Sequence, residues 1–127
     1  MSINNLYKRE IIKHYKNPLH TNTLKDFTCK YKLANLSCGD ETEVKILIKN
    51  KKIFDISHKT NGCSIAIATA SIFSNFIIGK NIEEVTNLTL KDIEELLHIE
   101  LSPARQKCAL LILEAVKKAI LKSTSQY

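Results

Sequence analysis

The stretch Phe27-Thr28-Cys29-Lys30-Tyr31-Lys32-Leu33 alternates with a period of two, placing Phe27, Cys29, Tyr31 and Leu33 on one side of a half-buried strand and Thr28, Lys30 and Lys32 on the other. Val44, Ile46 and Ile48 repeat the pattern against Glu43, Lys45 and the less typical Leu47. After Lys49-Asn50-Lys51 the chain resumes with Ile53 to His58, so the second and third strands form a hairpin, with Asn50 tolerating a left-handed turn conformation. Upstream, Leu6, Tyr7, Ile11, Ile12 and Tyr15 recur at helical spacing behind the candidate caps Asn4 and Asn5, and Pro18 cannot continue the turn, which predicts a helix over about 5–16. Downstream of Gly62, Cys63 to Phe73 is small and apolar nearly all round, a central buried helix closed at Gly79. Asn81 opens a short acidic segment and Leu90 to His98 forms another. Ser102-Pro103 supplies a cap and a first-turn proline for a last helix reaching about Lys122, and residues 123–127 are expected to fray.

With 127 residues, 44% hydrophobic and 25% charged, the composition is that of one ordinary globular domain over 1–127, able to bury a core without disulfide staples. No repeat, low-complexity tract or Gly-rich linker divides it. The formal charge of +6 raises a nucleic-acid reading. Only Arg9 and Arg105 are arginines, however, and lysines seldom supply bidentate base readout or stacking, so no nucleic-acid partner is expected. A lysine-rich nucleic-acid module and a small zinc-binding module stand as the alternatives. Residues 1–60 hold twelve cations and six acids while 61–127 hold seven of each, so the surplus lies in the first half and would suit an acidic protein partner. The N-terminus has no apolar run of the secretory kind, and the charge-free stretch between Lys59 and Lys80 is broken by Asn61, Ser64, Thr69, Ser71, Ser74 and Asn75. A cytoplasmic protein without a membrane span is the expectation.

Four cysteines, at 29, 38, 63 and 108, point to thiol chemistry rather than disulfides in such a compartment, and no two form Cys-x-x-Cys. Cys38-Gly39-Asp40 lies in a turn past the first strand, with two anionic ligand types two residues apart that one cation could take. Cys63 stands at the start of the buried helix, where the dipole favours a thiolate. Cys108 follows Arg105 by three residues, with Lys107 beside it, and it also shares a stripe with Leu111, Ile112, Ala115 and Ala119 that would place it in the core. Cys29, between Phe27 and Tyr31 on the strand face, reads as packing. His14, His20, His58 and His98 stand singly and read as surface or helix-end residues. Neither His-x-Glu with Pro-Cys-x-x-Cys nor His-Glu-x-x-His occurs, which argues against a zinc hydrolase or nucleobase deaminase.

Four strings occur in order along the chain: Tyr7-Lys8-Arg9-Glu10-Ile11-Ile12-Lys13-His14-Tyr15-Lys16-Asn17-Pro18, Ser37-Cys38-Gly39-Asp40, Asn61-Gly62-Cys63-Ser64-Ile65-Ala66, and Ser102-Pro103-Ala104-Arg105-Gln106-Lys107-Cys108-Ala109. Together they resemble the IscU/SufU/NifU-N iron-sulfur cluster assembly family. The resemblance implies an α+β fold, a three-stranded antiparallel sheet packed against helices, with a metal site at one end. It implies Cys38, Cys63 and Cys108 as thiol ligands of the metal or cluster, and Asp40 as the carboxylate completing a tetrahedral zinc site in SufU-type members. Lys107 stands where IscU-type scaffolds carry a histidine, and Ser102-Pro103-Ala104-Arg105 lacks the Leu-Pro-Pro-Val-Lys segment of IscU, so the chain resembles the SufU type more closely. The run from Gly79 to Leu101 departs from that type in lacking its usual insertion.

By the same resemblance, the cofactor is zinc, or a transient [2Fe-2S] cluster or iron. The partners are a cysteine desulfurase and recipient apo iron-sulfur proteins or a downstream scaffold. Two roles follow, a sulfurtransferase-like sulfur acceptor and a non-enzymatic scaffold. Cys38 receives the persulfide in the first and Cys108 is the alternative acceptor in the second.

Overall fold

The computed structural model describes the backbone of residues 3–36 and 39–124, and within them the side chains from Lys8 onward. The described elements run α1 (Ile3–Lys16), β1 (Cys29–Asn35), β2 (Asp40–Lys49), β3 (Lys52–Asn61), α2 (Ser64–Ile77), α3 (Ile82–Thr86), α4 (Leu90–Leu97) and α5 (Pro103–Thr124). The three strands form one antiparallel sheet in the order β1-β2-β3. This is the α+β architecture expected from the strand periodicity and from the family resemblance.

Alternation along the strands decides which side is covered. Cys29, Val44 and Ile46 are buried on the inner face, joined by Thr42 and Asp40 further along β2. On β3 the buried apolar positions are Ile53 and Ile56, three apart rather than two, because the register of the hairpin shifts between Leu47 and Ile48. The extra residue turns Phe54 outward, where Lys49 Nζ lies 4.2 Å from its ring centroid. α5 covers β1 and β2, α2 lies along β3 and against α5, and α1 packs on the outside of α2. Phe73 and Ile77 of α2 and Ile112, Val116 and Ala119 of α5 meet the sheet in one apolar core. Alanines at 66, 68 and 70 keep α2 narrow enough to approach its neighbours closely.

Several boundaries differ from the sequence reading. β1 begins at Cys29, so Phe27 precedes the strand; it is 38% exposed and Lys45 Nζ sits 5.2 Å from its ring centroid. Asp40 is the first residue of β2 rather than part of a turn. The last helix includes Ser123 and Thr124, because Ser123 is buried and the Thr124 hydroxyl donates to the Leu121 carbonyl at 3.1 Å. The rest of the tail expected to fray lies outside the described residues.

His58 corrects the expectation of a surface or helix-end histidine. It is 3% exposed, its Nε2–H donates to the Leu19 carbonyl at 2.9 Å, and its Nδ1 accepts from the Thr60 hydroxyl at 2.9 Å. Thr60 in turn bonds the Thr42 hydroxyl at 2.8 Å. The segment after α1 is thereby tied to the sheet, and Ser71 of α2 ties it to the helices by bonding His14 Nδ1 at 2.7 Å and the Leu19 amide at 2.8 Å. The outer rim of β3 receives further backbone bonds. The His58 amide donates to the His20 carbonyl, the Ile53 amide to the Lys80 carbonyl, and the Gly79 amide to the Ile53 carbonyl.

Candidate metal centre

Antiparallel connectivity brings the end of β1, the start of β2 and the end of β3 to the same edge of the sheet, where Asn35 is paired with Asp40 and Glu41 with Asn61. The β3 chain then passes through Gly62 and Cys63 into α2. The first turns of α5, lying over β1 and β2, deliver Cys108 to that edge. Among the described residues, Asp40, Cys63 and Cys108 place one donor atom each within 4.8 Å of one another. These are three of the four ligands that the resemblance implied. The fourth, Cys38, lies outside the described residues, as does Ser37.

Each donor has a local reason for its place. Gly39 takes φ +73 and its amide donates to the Asn35 carbonyl at 2.9 Å, closing the connection that turns the chain into Asp40. Asp40 is 1% exposed, and its Oδ1 accepts the Cys63 amide at 2.9 Å while Oδ2 stands 3.7 Å from Cys63 Sγ. Cys63 is the N-cap of α2, its backbone extended and its sulfur accepting the Ala66 amide at 3.4 Å. Cys108 is buried by the α5 stripe and its sulfur points back along the helix, 3.7 Å from the Ala104 carbonyl. Both readings of Cys108, core residue and ligand, describe the same side chain.

Burial pushes the Cys108 thiol well above the ordinary cysteine range, and the neighbouring Asp40 and Cys63 side chains push it the same way. Arg105 and Lys107, near Cys108 in the sequence, are cations of the kind that favour a thiolate. The structure shows the opposite net direction, since burial and the neighbouring Asp40 and Cys63 side chains dominate and both cations are exposed. A divalent cation held by these donors would supply the opposing charge that makes the thiolate favourable. Cys29 is remote in character: burial lifts it to about 11 and it packs in the core.

The donor set fits such a cation. Around a tetrahedral zinc, two sulfurs stand about 3.8 Å apart and a sulfur and an oxygen about 3.5 Å apart. The Asp40–Cys63 separation of 3.7 Å already matches, and the whole trio needs little contraction. Iron in a sulfide cluster takes the same thiolates. One contributor was not legible in the sequence: Gly62 marked only a helix start.

Comparison with known proteins agrees with the fold. The family described as NifU-like N terminal domain matches residues 6–126. The chain is 34% identical over 119 residues to the iron-sulfur cluster assembly enzyme IscU of Drosophila melanogaster, covering 91% of this chain and 76% of that protein. It is 30% identical over an alignment 138 residues long, gaps included, to the zinc-dependent sulfurtransferase SufU of Bacillus subtilis, covering 95% of this chain and 93% of that protein. A solved NifU-like protein N-terminal region from Brucella abortus superposes with a TM-score of 0.78 at 17% identity, covering 98% of this chain and 99% of that one, a likeness of fold. IscU and SufU thus stand at similar identity. Whole-length match, sheet topology and the meeting of Asp40, Cys63 and Cys108 agree, and the chain belongs to the NifU-like N-terminal domain family.

Proposed function

We propose that this chain is an iron-sulfur cluster assembly protein whose metal centre, formed by Cys38, Asp40, Cys63 and Cys108, receives sulfur from a cysteine desulfurase. The observation that carries this reading is the convergence of Asp40, Cys63 and Cys108 donors within 4.8 Å from β2, α2 and α5. The names of the relatives, an assembly enzyme and a zinc-dependent sulfurtransferase, support the same chemistry. Zinc is the resident ion we assign. Three thiolates hold it firmly, and a carboxylate is a harder and more easily exchanged ligand, which suits a centre that must open.

The sulfur step balances as a thiol–persulfide exchange. The Cys38 thiolate attacks the terminal sulfur of the desulfurase persulfide, a new S–S bond forms on Cys38, the old S–S bond breaks, and the desulfurase cysteine leaves as thiolate. Cys38 is preferred over Cys108 as acceptor because the Cys108 side chain is buried in the α5 stripe, which leaves a partner's persulfide little access to its sulfur. Recipient apo iron-sulfur proteins or a downstream scaffold take the sulfur onward. A scaffold role, with the same thiolates around a transient [2Fe-2S] cluster, is the second reading, and Cys108 then becomes the alternative acceptor. It is favoured by the 34% identity to an IscU.

Bound metal and desulfurase turnover, measured on purified protein, test these readings. The parent should carry stoichiometric zinc and stimulate the desulfurase. Cys63→Ala and Cys108→Ala should lose zinc, and Cys38→Ala should lose stimulation. Protein isolated anaerobically with cluster absorption in place of zinc would favour the scaffold. Retention of both metal and stimulation after replacing Cys38, Cys63 and Cys108 together would defeat the assignment.

A further inference from the structure

Gly62 adopts φ +142, a conformation open to glycine and avoided by other residues. A second constraint lies in what stands where its side chain would be. A Cβ at Gly62 would overlap Asp40 Oδ1 and sit 2.6 Å from Asp40 Cγ and 2.9 Å from Asp40 Cβ, closer than non-bonded carbons come. Gly39, the other glycine of the site loops, has nothing within 4 Å of the equivalent position. Crowding is therefore specific to Gly62, and the carboxylate of Asp40 fills the space. Seated there, Asp40 is 1% exposed, with Oδ1 on the Cys63 amide and Oδ2 toward the Cys63 sulfur.

We infer that Gly62 is a positioning residue for the metal centre: its missing side chain is a slot that seats the Asp40 carboxylate with Oδ1 tied to the backbone, leaving Oδ2 alone to face the ion. The inference rests on the metal-centre reading and adds two things to it. Asp40 ligates through a single oxygen, because the other is committed to the Cys63 N–H. The same hydrogen bond locks two ligands together, since moving Asp40 also releases the amide of the residue that carries the Cys63 sulfur.

Two readouts test the slot, one of them independent of metal. The first is hydrogen–deuterium exchange of the Cys63 amide, followed by NMR in metal-free protein whose folding is checked by thermal melting. The second is zinc affinity by competition with a chromophoric chelator. Gly62→Ala should speed Cys63 amide exchange and weaken zinc by about 10–100-fold, the range typical of residues that orient a ligand. Asp40→Asn should separate the two oxygens: its carbonyl oxygen still accepts the Cys63 amide, so exchange stays slow, while its NH2 offers the ion no lone pair, so zinc weakens.

In an Asp40→Gly background, where no carboxylate fills the slot, adding Gly62→Ala should cost less than roughly threefold more. Parent-like exchange and zinc affinity in Gly62→Ala would overturn the inference. So would parent-like zinc affinity in Asp40→Asn, or an equal zinc loss from Gly62→Ala in both backgrounds, which would assign the effect to backbone strain alone. If the parent took up no zinc, the metal-centre reading would fall. Amide exchange would then still decide the slot, faster exchange in Gly62→Ala upholding it and unchanged exchange refuting it. If Gly62→Ala failed to fold, Asp40→Asn would decide, because it preserves the side-chain shape.

Discussion

Cys29 and Cys63 are the same functional group in opposite surroundings, one buried at 6% with its thiol pushed up to about 11, the other exposed at a helix N-cap. At pH 8 only about one Cys29 thiol in a thousand is thiolate. Iodoacetamide should therefore modify Cys63 in minutes and leave Cys29 intact, and zinc should slow the reaction at Cys63 without altering Cys29; peptide mass spectrometry reads both sites. His58 carries a pH prediction. Burial lowers its pKa below the ordinary value, outweighing the Leu19 carbonyl that favours the charged ring. The unfolded chain then binds the proton first as pH falls, so stability is complete above about pH 6.5 and declines below it. Urea midpoints at pH 7.5 and 5.5 should show this decline, and His58→Gln should reduce the difference.

At the level of elements, periodicity placed the three strands and α1, whereas α2 was read from its all-round apolar run and α5 from its Ser102-Pro103 start. What escaped depends on contacts between distant segments. The bulge that puts Ile53 and Ile56 on one face follows from pairing with Leu47 and Ile48, and β1 starts late because Phe27 finds a lysine instead of the core. The hairpin turn was half legible. Asn50 was recognised as a left-handed residue, while Lys51, at φ +60, shares that conformation. Two positive φ angles in a two-residue loop define a type I′ turn, whose second position favours glycine. Lys51→Gly should accordingly raise stability by about 0.5–1 kcal/mol, read as a higher urea midpoint with unchanged slope. A lower midpoint would show that the Ile82 amide bond to the Lys51 carbonyl depends on the lysine backbone being held.

For the whole molecule, the metal end of the sheet is also where a large apolar side chain stands free. Leu36 is 96% exposed at the end of β1, beside a cleft whose lining includes Leu33, Leu110 and Leu111. On the proposed function, sulfur would be received at this end and the desulfurase would have to approach that surface. Leu36→Asp should thus weaken desulfurase stimulation several-fold at unchanged zinc content, measured by sulfide release; equal stimulation would place the contact elsewhere. The convergence that makes this end functional was legible only through the four family strings. Asp40, Cys63 and Cys108 are separated by 23 and 45 positions, and no local pattern reports a meeting set by strand order.

The opposite rim has its own consequence. An antiparallel sheet of three strands offers unpaired amides and carbonyls along both sides, and a neighbour's strand can be recruited to either. Along the third strand, the carbonyls of His20 and Lys80 and the amide of Gly79 already occupy partners at His58 and Ile53. A growing fibril or a swapped copy would first have to peel away the molecule's own chain there, so this border is guarded against templated self-association.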